Sequence, residues 1–523
     1  MVQKIKKQPL AFMLGLILLV QFILIAVCNL SLIDKHLDCD NAKLFVHIMH
    51  MWEEKTIFIP DWSHVNTFEL DCASLIALPL YALTGNIYLA FGIANVIFVA
   101  IYIGLIFYMF SGENPTRPLL VANLICIPYA YGMLDYFNMM FFCGSQYVLK
   151  VMIPIMLIAL LLRIERKDVQ NKKAKALTLY VVIYLLLVFV TSLSSGIYVA
   201  MVGLLPIFAV YVIYKLQRYE KIPKVYYLVA ITSVVAVLIG LILNNVIMDG
   251  AVGNRMTLCS IYDILNNVTS CFFGIFELFG GAAYSADVSV LSLKGISIIL
   301  KIGFTLVVLV CAFIGLMKVI KKKSDLRSVL LLAVFGWNMF VLCITNTSYG
   351  ASTYEYRYHL VGMIPLLFIA GELLVEFLEY HKGVTCLIFS TIGVGAVLML
   401  NVVSFKEVYT AEDSYADLKE LTAYVEELDV EYAYLYNESS EAEICRLLSQ
   451  DDTTWLYVTP GGLTLVYDYY EKYVEMPVVA DNAVLIVNNS IADFGDTFEF
   501  GGYMLKRFST KGNPGRSLYY FVD

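Results

Sequence analysis

The sequence predicts an α-helical polytopic membrane protein, with about eleven transmembrane helices and a small C-terminal α/β domain. Two observations lead to this fold class. The chain of 523 residues is 60% hydrophobic and only 15% charged, which is far outside the composition of soluble globular proteins. Apolar runs of about 20 residues recur up to residue 404, and the pattern then changes to short strands and an amphipathic helix.

The apolar runs are each long enough, or nearly so, to cross a hydrocarbon core of about 30 Å. We interpret the first run as a retained span, because it is longer than the core of a signal peptide and lacks a small-residue cleavage pattern. The predicted spans cover residues 8–33, 87–110, 119–134, 146–162, 176–193, 196–214, 225–247, 296–318, 328–346, 358–379 and 384–404.

Residues 73–84 form a further apolar segment that we do not count as a span. The segment is too short to cross the membrane and contains Pro79, which would break the core of a transmembrane helix. These properties favour a helix that lies at the outer membrane interface.

Basic residues predict the orientation of the spans. Lysine and arginine residues concentrate before the first span and around residues 163–175, 215–224 and 318–327, which fall on one side if the spans alternate. The positive-inside rule makes that side cytoplasmic. We therefore expect a multi-pass protein of the cell membrane with a cytoplasmic N-terminus and with the loops 34–86 and 248–295 on the outer face.

The sequence divides into a transmembrane domain, residues 1–404, and an extracytoplasmic α/β domain, residues 405–523. The second part begins with an acidic amphipathic helix over about 415–428. Short apolar strands follow in EYAYLY, TWLYV and AVLIVN, and FEFGGYMLKRF and RSLYYFV predict antiparallel strands. A segment of this length can bury a core of its own.

The composition also argues against several partners. A net charge of −8 argues against nucleic acid. The 11 cysteines show no CxxC motif and no zinc-type spacing with histidine, so we expect neither a metal nor another cofactor. Cys39 and Cys72 fall in one predicted outer loop, and the sequence leaves open whether they form a disulfide.

Ionisable residues are nearly absent from the middles of the predicted spans. Lys301 falls near an outer end, and Glu372 and Glu376 fall toward an inner one, whereas ion-coupled carriers place such residues at mid-depth. The polar residues concentrate in the outer loops instead. Chemistry on lipid-linked substrates at the outer membrane surface is therefore a better interpretation than transport.

Four segments carry a family resemblance. The first span is followed by an acidic motif, LDCDNAKLF, and by HIMHMWEEKTIFIPDW, an amphipathic helix closed by a proline-containing segment. A proline-bearing helix ending in glycine, TFELDCASLIALPLYALTG, leads into the second span, and an Arg-Tyr pair opens a late span in YEYRYHLVGMIPLL. With the outer domain after residue 405, this arrangement resembles the C-type (GT-C) glycosyltransferases, in particular the branch of the protein O-mannosyltransferases and the lipid A aminoarabinose transferase.

The resemblance implies a GT-C-like fold and an enzyme of the hexosyltransferase class. Such an enzyme moves a sugar from a polyprenyl-phosphate donor to a glycan, lipid or protein acceptor, in the synthesis of cell-envelope glycans or glycoconjugates. The donor already carries a good leaving group. The reaction then needs one carboxylate to accept the proton of the attacking hydroxyl, and cations to hold the departing phosphate.

Asp40 is the predicted catalytic base, because it begins a helix-like stretch whose apolar residues would fix the carboxylate just above the membrane. Asp38, two residues earlier, is the alternative. Arg357 is the predicted phosphate ligand, since the planar fork of a guanidinium matches phosphate oxygens. Further candidates for substrate binding are Tyr356, Tyr358, Lys301, Arg255 and Glu69.

Three other functions stay open on the sequence alone. A ligase or polymerase of lipid-linked glycans would have a richer set of outer arginines. A flippase or carrier of lipid-linked glycans would show charged residues lining the membrane interior. A noncatalytic envelope assembly protein would leave Asp40 and Arg357 far apart.

Overall fold

The computed structural model describes residues 9–59, 62, 67–132, 134–166, 174–247, 257–281, 288–346, 356–381, 383–449, 453–465, 476–508 and 515–522. Over these ranges the chain forms a helical bundle followed by an α/β domain. The bundle contains α1 (Pro9–Ser31), α2 (Cys39–Glu53), α3 (Ser74–Thr84), α4 (Ile87–Met109), α5 (Thr116–Ile125), α6 (Tyr136–Phe141), α7 (Val148–Glu165), α8 (Ala174–Ser195), α9 (Leu205–Gln217), α10 (Lys224–Ile247), α11 (Ile261–Leu278), α12 (Leu293–Ile320), α13 (Leu326–Ile344), α14 (Leu360–Tyr380) and α15 (Val384–Thr410).

Nine helices in the described part of the chain are long and apolar enough to cross a membrane, and each coincides with a predicted span. One of the nine is α9 taken together with the π-helical turn Ala200–Leu204 that precedes it. The segment predicted to span at 119–134 is different. Only its first part is helical, because α5 ends at Ile125 and α6 begins at Tyr136, beyond the segment. Residues 126–130, which follow α5, are buried irregular chain, which a bundle tolerates only where protein, not lipid, surrounds the backbone.

The segment predicted to span at 146–162 forms α7, a helix of 18 residues at the centre of the bundle. Almost every side chain of α7 is buried against other helices. The helix also carries Lys150, Arg163 and Glu165, which are charges that a lipid-facing helix would not have.

The segment predicted as an interfacial helix forms α3, an apolar helix of 11 residues that includes Pro79. The helix ends at Gly85, whose φ of +64° is the left-handed conformation in which glycine commonly terminates a helix. The turn leads directly into α4, and α3 packs along α4.

Ion pairs close one end of the bundle, which we call the Arg327 end. Glu113, just after α4, lies 2.7 Å from Arg327 at the start of α13 and 3.0 Å from Arg166 at the end of α7. Glu372 of α14 also pairs with Arg327. Since α4, α7 and α14 all run toward this cluster, their first residues lie at the opposite end, together with the segment that joins α1 to α2.

Among the residues after α15 that the structure describes, eight strands form a mixed sheet with two helices, α16 (Ala416–Glu426) and α17 (Ser439–Leu448). The strands are β3 (Tyr432–Tyr436), β4 (Thr454–Val458), β5 (Leu463–Leu465), β6 (Met476–Pro477), β7 (Ala483–Asn488), β8 (Thr497–Phe500), β9 (Tyr503–Phe508) and β10 (Arg516–Val522). The strand order is β6-β5-β4-β3-β7-β10-β9-β8, in which the pairs β3/β4 and β3/β7 are parallel and the other described pairs are antiparallel.

The helix and the strands predicted from the sequence of the α/β domain are confirmed. The central strand β7, AVLIVN, is buried along nearly its whole length, as its continuous apolar run predicts. The bundle contains a separate antiparallel pair, β1 (Thr257–Leu258) and β2 (Thr345–Asn346). Helix α15 continues to Thr410, and the domain boundary at residue 404 stays a prediction.

Candidate active site

The acidic motif LDCDNAKLF opens α2, and Asp38 is the N-cap residue of this helix. Its carboxylate accepts hydrogen bonds from the backbone N–H of Asn41 at 2.9 Å and from Nδ2 of Asn41 at 2.5 Å. The side chain is buried, and burial raises the pKa of Asp38 to about 7, even though both bonds from Asn41 favour the charged form. Asp38 therefore anchors the motif structurally.

Asn41 connects the motif to the membrane helices. Its Oδ1 accepts a hydrogen bond from the backbone N–H of Gly144 at 2.8 Å, an approach that leaves no room for a side chain at this glycine. Asn29 of α1 and Asn95 of α4 donate to backbone carbonyls of the segment 141–143 and bond to each other at 2.8 Å. Polar side chains inside two spans thus fix the segment that holds the acidic motif.

Asp40 lies in the first turn of α2 and is half-buried. Within the residues that the structure describes, its carboxylate forms neither a hydrogen bond nor an ion pair. It is close enough to Lys43 and Glu69 to influence the ionisation of both. An acid held on a rigid helix with a carboxylate that has no other partner is suited to accept a proton from a substrate.

A buried ion pair lies beside Asp40. Nζ of Lys43 is 2.9 Å from Oε1 of Glu69, and only 8% and 13% of the two side chains are exposed. Burial raises the pKa of Glu69 in spite of the ammonium group. Glu69 also has a φ of +62°, a left-handed conformation that costs a residue with a side chain about 1–2 kcal/mol. Strain of this kind concentrates at functional sites.

A second buried pair joins the loop to α7 and α8. Nζ of Lys150 is 3.3 Å from Oδ2 of Asp71, and the hydroxyl of Ser195 donates to the same oxygen at 2.7 Å. Lys150 also influences the ionisation of Glu69, so the two ion pairs are neighbours. Together with the half-buried Asp40, the two pairs form one polar cluster, which we call the loop cluster: Asp40, Lys43, Glu69, Asp71 and Lys150.

Arg357 lies in a 3-10 turn, Tyr356–His359, that precedes α14. Its Cζ is 5.4 Å from the ring centroid of Tyr358, and that ring makes an edge contact with the ring of Tyr147 at 6.4 Å. Nζ of Lys150 is in turn 5.1 Å from the ring centroid of Tyr147. Aromatic side chains therefore link Arg357 to the loop cluster.

The remaining predicted site residues lie in other positions. Nζ of Lys301 is 2.6 Å from Oε2 of Glu407, so its charge has a close partner between α12 and α15. Arg255 lies outside the described residues, and only the backbone of Tyr356 is described. The substrate-binding roles of these residues stay predictions. Cys39 and Cys72 are free thiols, so the disulfide that the sequence left open does not form in this structure.

Sequence reasoning missed Asn29, Asn95, Lys43 and Lys150. Asn29, Asn95 and Lys150 each carry a recognisable signal, which is a polar residue isolated in an otherwise apolar helix. Within the described ranges, no group of three His, Cys, Asp or Glu side chains is arranged to hold a metal ion.

The α/β domain contacts the acidic motif directly. Helix α17 packs along α2. Ser440 is close enough to Cys39 to influence the ionisation of its thiol, and one turn further along both helices the carboxylate of Glu443 influences the ionisation of Lys43. The domain therefore covers one side of α2 and contributes to the burial of the loop cluster.

Solved membrane glycosyltransferases share this architecture. ArnT from Cupriavidus metallidurans bound to undecaprenyl phosphate gives a TM-score of 0.55 at 12% identity, over 97% of each chain. The apo state of ArnT gives 0.54 at 11% identity, again over 97% of each chain. The oligosaccharyltransferase of Archaeoglobus fulgidus, in complex with Zn and sulfate, gives 0.53 at 13% identity, over 91% of this chain and 68% of its own.

No protein-family model matches the sequence, and no curated protein matches it. At identities this low the structural likeness establishes the fold. The chain shares its fold with these proteins and has a C-terminal sheet domain, which confirms the predicted GT-C-like fold class.

Proposed function

We propose that this protein is a membrane glycosyltransferase that transfers a sugar from a polyprenyl-phosphate-linked donor to an acceptor at the outer membrane surface. One observation carries the proposal. In a fold shared with ArnT, whose solved structure holds undecaprenyl phosphate, the carboxylate of Asp40 has no partner among the described residues and lies beside buried cations.

The reaction requires few groups. The hydroxyl oxygen of the acceptor attacks the anomeric carbon of the sugar, and the bond from that carbon to the phosphate oxygen breaks. The polyprenyl phosphate leaves with the electron pair, and the proton of the hydroxyl passes to Asp40. Charge therefore develops on the departing phosphate, where fixed cations lower the energy of the transition state.

The described contacts support a different role for each acid. Asp38 has both of its carboxylate oxygens bonded to Asn41, so it holds the start of α2 in place. Asp40 remains the proposed base. Lys43 and Glu69 pair with each other beside it, which connects the segment around Glu69 to α2. Arg357 is the proposed phosphate ligand at the far side of the cluster, with Tyr358 against its guanidinium.

The alternative function, transport of a lipid-linked glycan across the membrane, receives less support. Charges buried within the described helices pair with one another near the ends of the bundle, as Arg327 does with Glu113. A carrier would instead present them along a path through the membrane. The acceptor is a glycan, lipid or protein that offers a hydroxyl group at the outer surface.

The test is sugar transfer by membranes from expressing cells, with radiolabelled donors in which different sugars are joined to polyprenyl phosphate. We expect transfer from at least one donor, and a loss of about 10²-fold or more in Asp40→Asn with donor binding retained. Asp34→Asn is the matched control, because Asp34 is an exposed acid of the same loop. It should transfer normally.

Two results would change the proposal. Normal transfer by Asp40→Asn with none by Asp38→Asn would move the base to Asp38. Transfer by both variants, or no transfer by the wild type from any donor, would refute the proposed mechanism.

A further inference from the structure

Lys150 is a buried lysine that the proposed mechanism does not yet use. It lies in the first turn of α7 and is 7% exposed, in a helix with no other charge before Arg163. Removing an ammonium group from water costs several kcal/mol unless partners compensate for the loss. The contacts of Lys150 therefore indicate why the chain retains a charge at this position.

The contacts that Lys150 makes are incomplete. Its Nζ donates to the backbone carbonyl of Gln146 at 3.0 Å and lies 3.3 Å from Oδ2 of Asp71, beyond the 2.7–2.9 Å typical of charge-assisted bonds. An ammonium group has three N–H donors, and these two partners are the ones found in the described part of the chain. Oδ1 of Asp71 is likewise buried with no hydrogen-bond partner among the described residues.

Other buried lysines are paired more closely. Nζ of Lys215, at the Arg327 end, is 2.5 Å from Glu165 and 2.7 Å from Glu220. Nζ of Lys301 is 2.6 Å from Glu407. Lys150 is thus a buried cation with remaining capacity to bind an anion, and Asp71 holds it only loosely.

The position of Lys150 shows where such an anion would lie. Lys150 contacts the ring of Tyr147, and Tyr147 contacts Tyr358 next to Arg357. On its other side Lys150 lies close enough to Glu69 to influence the ionisation of that acid. The ammonium group is therefore near Glu69, and the rings of Tyr147 and Tyr358 connect it to the guanidinium of Arg357.

We propose that Lys150 is a second phosphate ligand of the site, which binds the phosphate of the lipid-linked substrate together with Arg357. The assignment rests on the proposed function. In the unliganded protein Asp71 pairs with the ammonium group of Lys150, and a bound phosphate competes with Asp71 for this group. Two cations also match the charge of the departing polyprenyl phosphate, which is a monoester, better than one.

The experiment measures binding of undecaprenyl phosphate to the purified full-length chain in detergent, by tryptophan fluorescence. Lys150→Gln should weaken binding about tenfold or more, as expected for loss of one charge-assisted hydrogen bond. Lys150→Arg, which keeps the charge, should restore most of the affinity. Lys215→Gln is the matched control, since it removes another buried and paired lysine far from the site, and it should bind normally.

Asp71→Asn distinguishes between two roles of Lys150, as a phosphate ligand or as a partner in a structural ion pair. If Asp71 competes with the phosphate, Asp71→Asn should bind undecaprenyl phosphate at least as tightly as the wild type. This variant therefore tests the role of Lys150 even if Lys150→Gln does not fold. The assignment of Lys150 would be overturned, and the proposed function left intact, if Asp71→Asn binds more weakly than the wild type. The same holds if the affinity of Lys150→Gln is within twofold of the wild type. Absence of binding by the wild type would instead overturn the proposed function on which the assignment rests.

Discussion

Replacement of Asp38 by alanine tests whether this residue anchors the acidic motif. The substitution removes an N-cap, which costs about 1 kcal/mol. It also leaves Nδ2 of Asn41 buried without its acceptor at 2.5 Å, which costs about 1–3 kcal/mol more. We therefore expect Asp38→Ala to lower the free energy of unfolding by about 2–4 kcal/mol at a pH of about 4, where the folded protein does not pay the cost of burying an ionised Asp38.

The free energy of unfolding can be measured by titrating the purified chain in mixed micelles with a denaturing detergent, followed by tryptophan fluorescence. Asn86→Ala provides the matched control. Asn86 caps α4 through a bond from the backbone N–H of Leu89 at 2.9 Å, but its side chain is exposed. Removing this cap leaves no buried donor, so the loss should be about 1 kcal/mol.

The comparison between the two caps decides the prediction. If Asp38→Ala loses no more stability than Asn86→Ala, then the bond between Asp38 and Asn41 does not hold the motif. The description of Asp38 as an anchor would then be wrong, and a direct catalytic role for this acid would become the better explanation of its burial.

Three further predictions concern Arg357, the ionisation of Asp38 and the orientation of the chain. Arg357→Lys keeps the charge but loses the planar fork of the guanidinium, so donor affinity and turnover should each fall about tenfold in binding and transfer assays. Unchanged affinity and turnover would exclude Arg357 as a phosphate ligand. Burial raises the pKa of Asp38 to about 7, so the folded state binds this proton more tightly than the unfolded state does. Stability should therefore fall as the pH rises from about 4 to 7 in the wild type, and a titration of Asp38→Ala that shows the same slope would contradict this origin. In intact cells, a membrane-impermeant maleimide should label Ser490→Cys, and Lys322→Cys only after permeabilisation; the opposite pattern would invert the predicted topology.

Much of the fold could be predicted because the membrane imposes simple rules on sequence. Length and hydropathy identified the nine described spans, and alternation with turn residues identified the strands of the α/β domain. The errors occurred where tertiary contacts replaced lipid. The 119–134 segment is apolar because it packs inside the bundle, and hydropathy alone cannot distinguish a protein interior from a hydrocarbon one.

The candidate site was predictable only in part. Asp38 precedes a helix and could have been identified as an N-cap from its residue type. The pairing of Lys150 with Asp71 could not, since it depends on how α7 packs against a loop far away in sequence. The same holds for Asn29 and Asn95, whose bonds to the segment 141–143 form only after the spans assemble.

The packing of α17 along α2 also affects how the protein matures. Helix α2 is synthesised directly after the first described span, whereas α17 follows the last described one, so all the described spans are made before the two helices can meet. Until then the side of α2 that packs against α17 is uncovered. The acidic motif thus reaches its final surroundings only after the membrane-spanning helices have been synthesised.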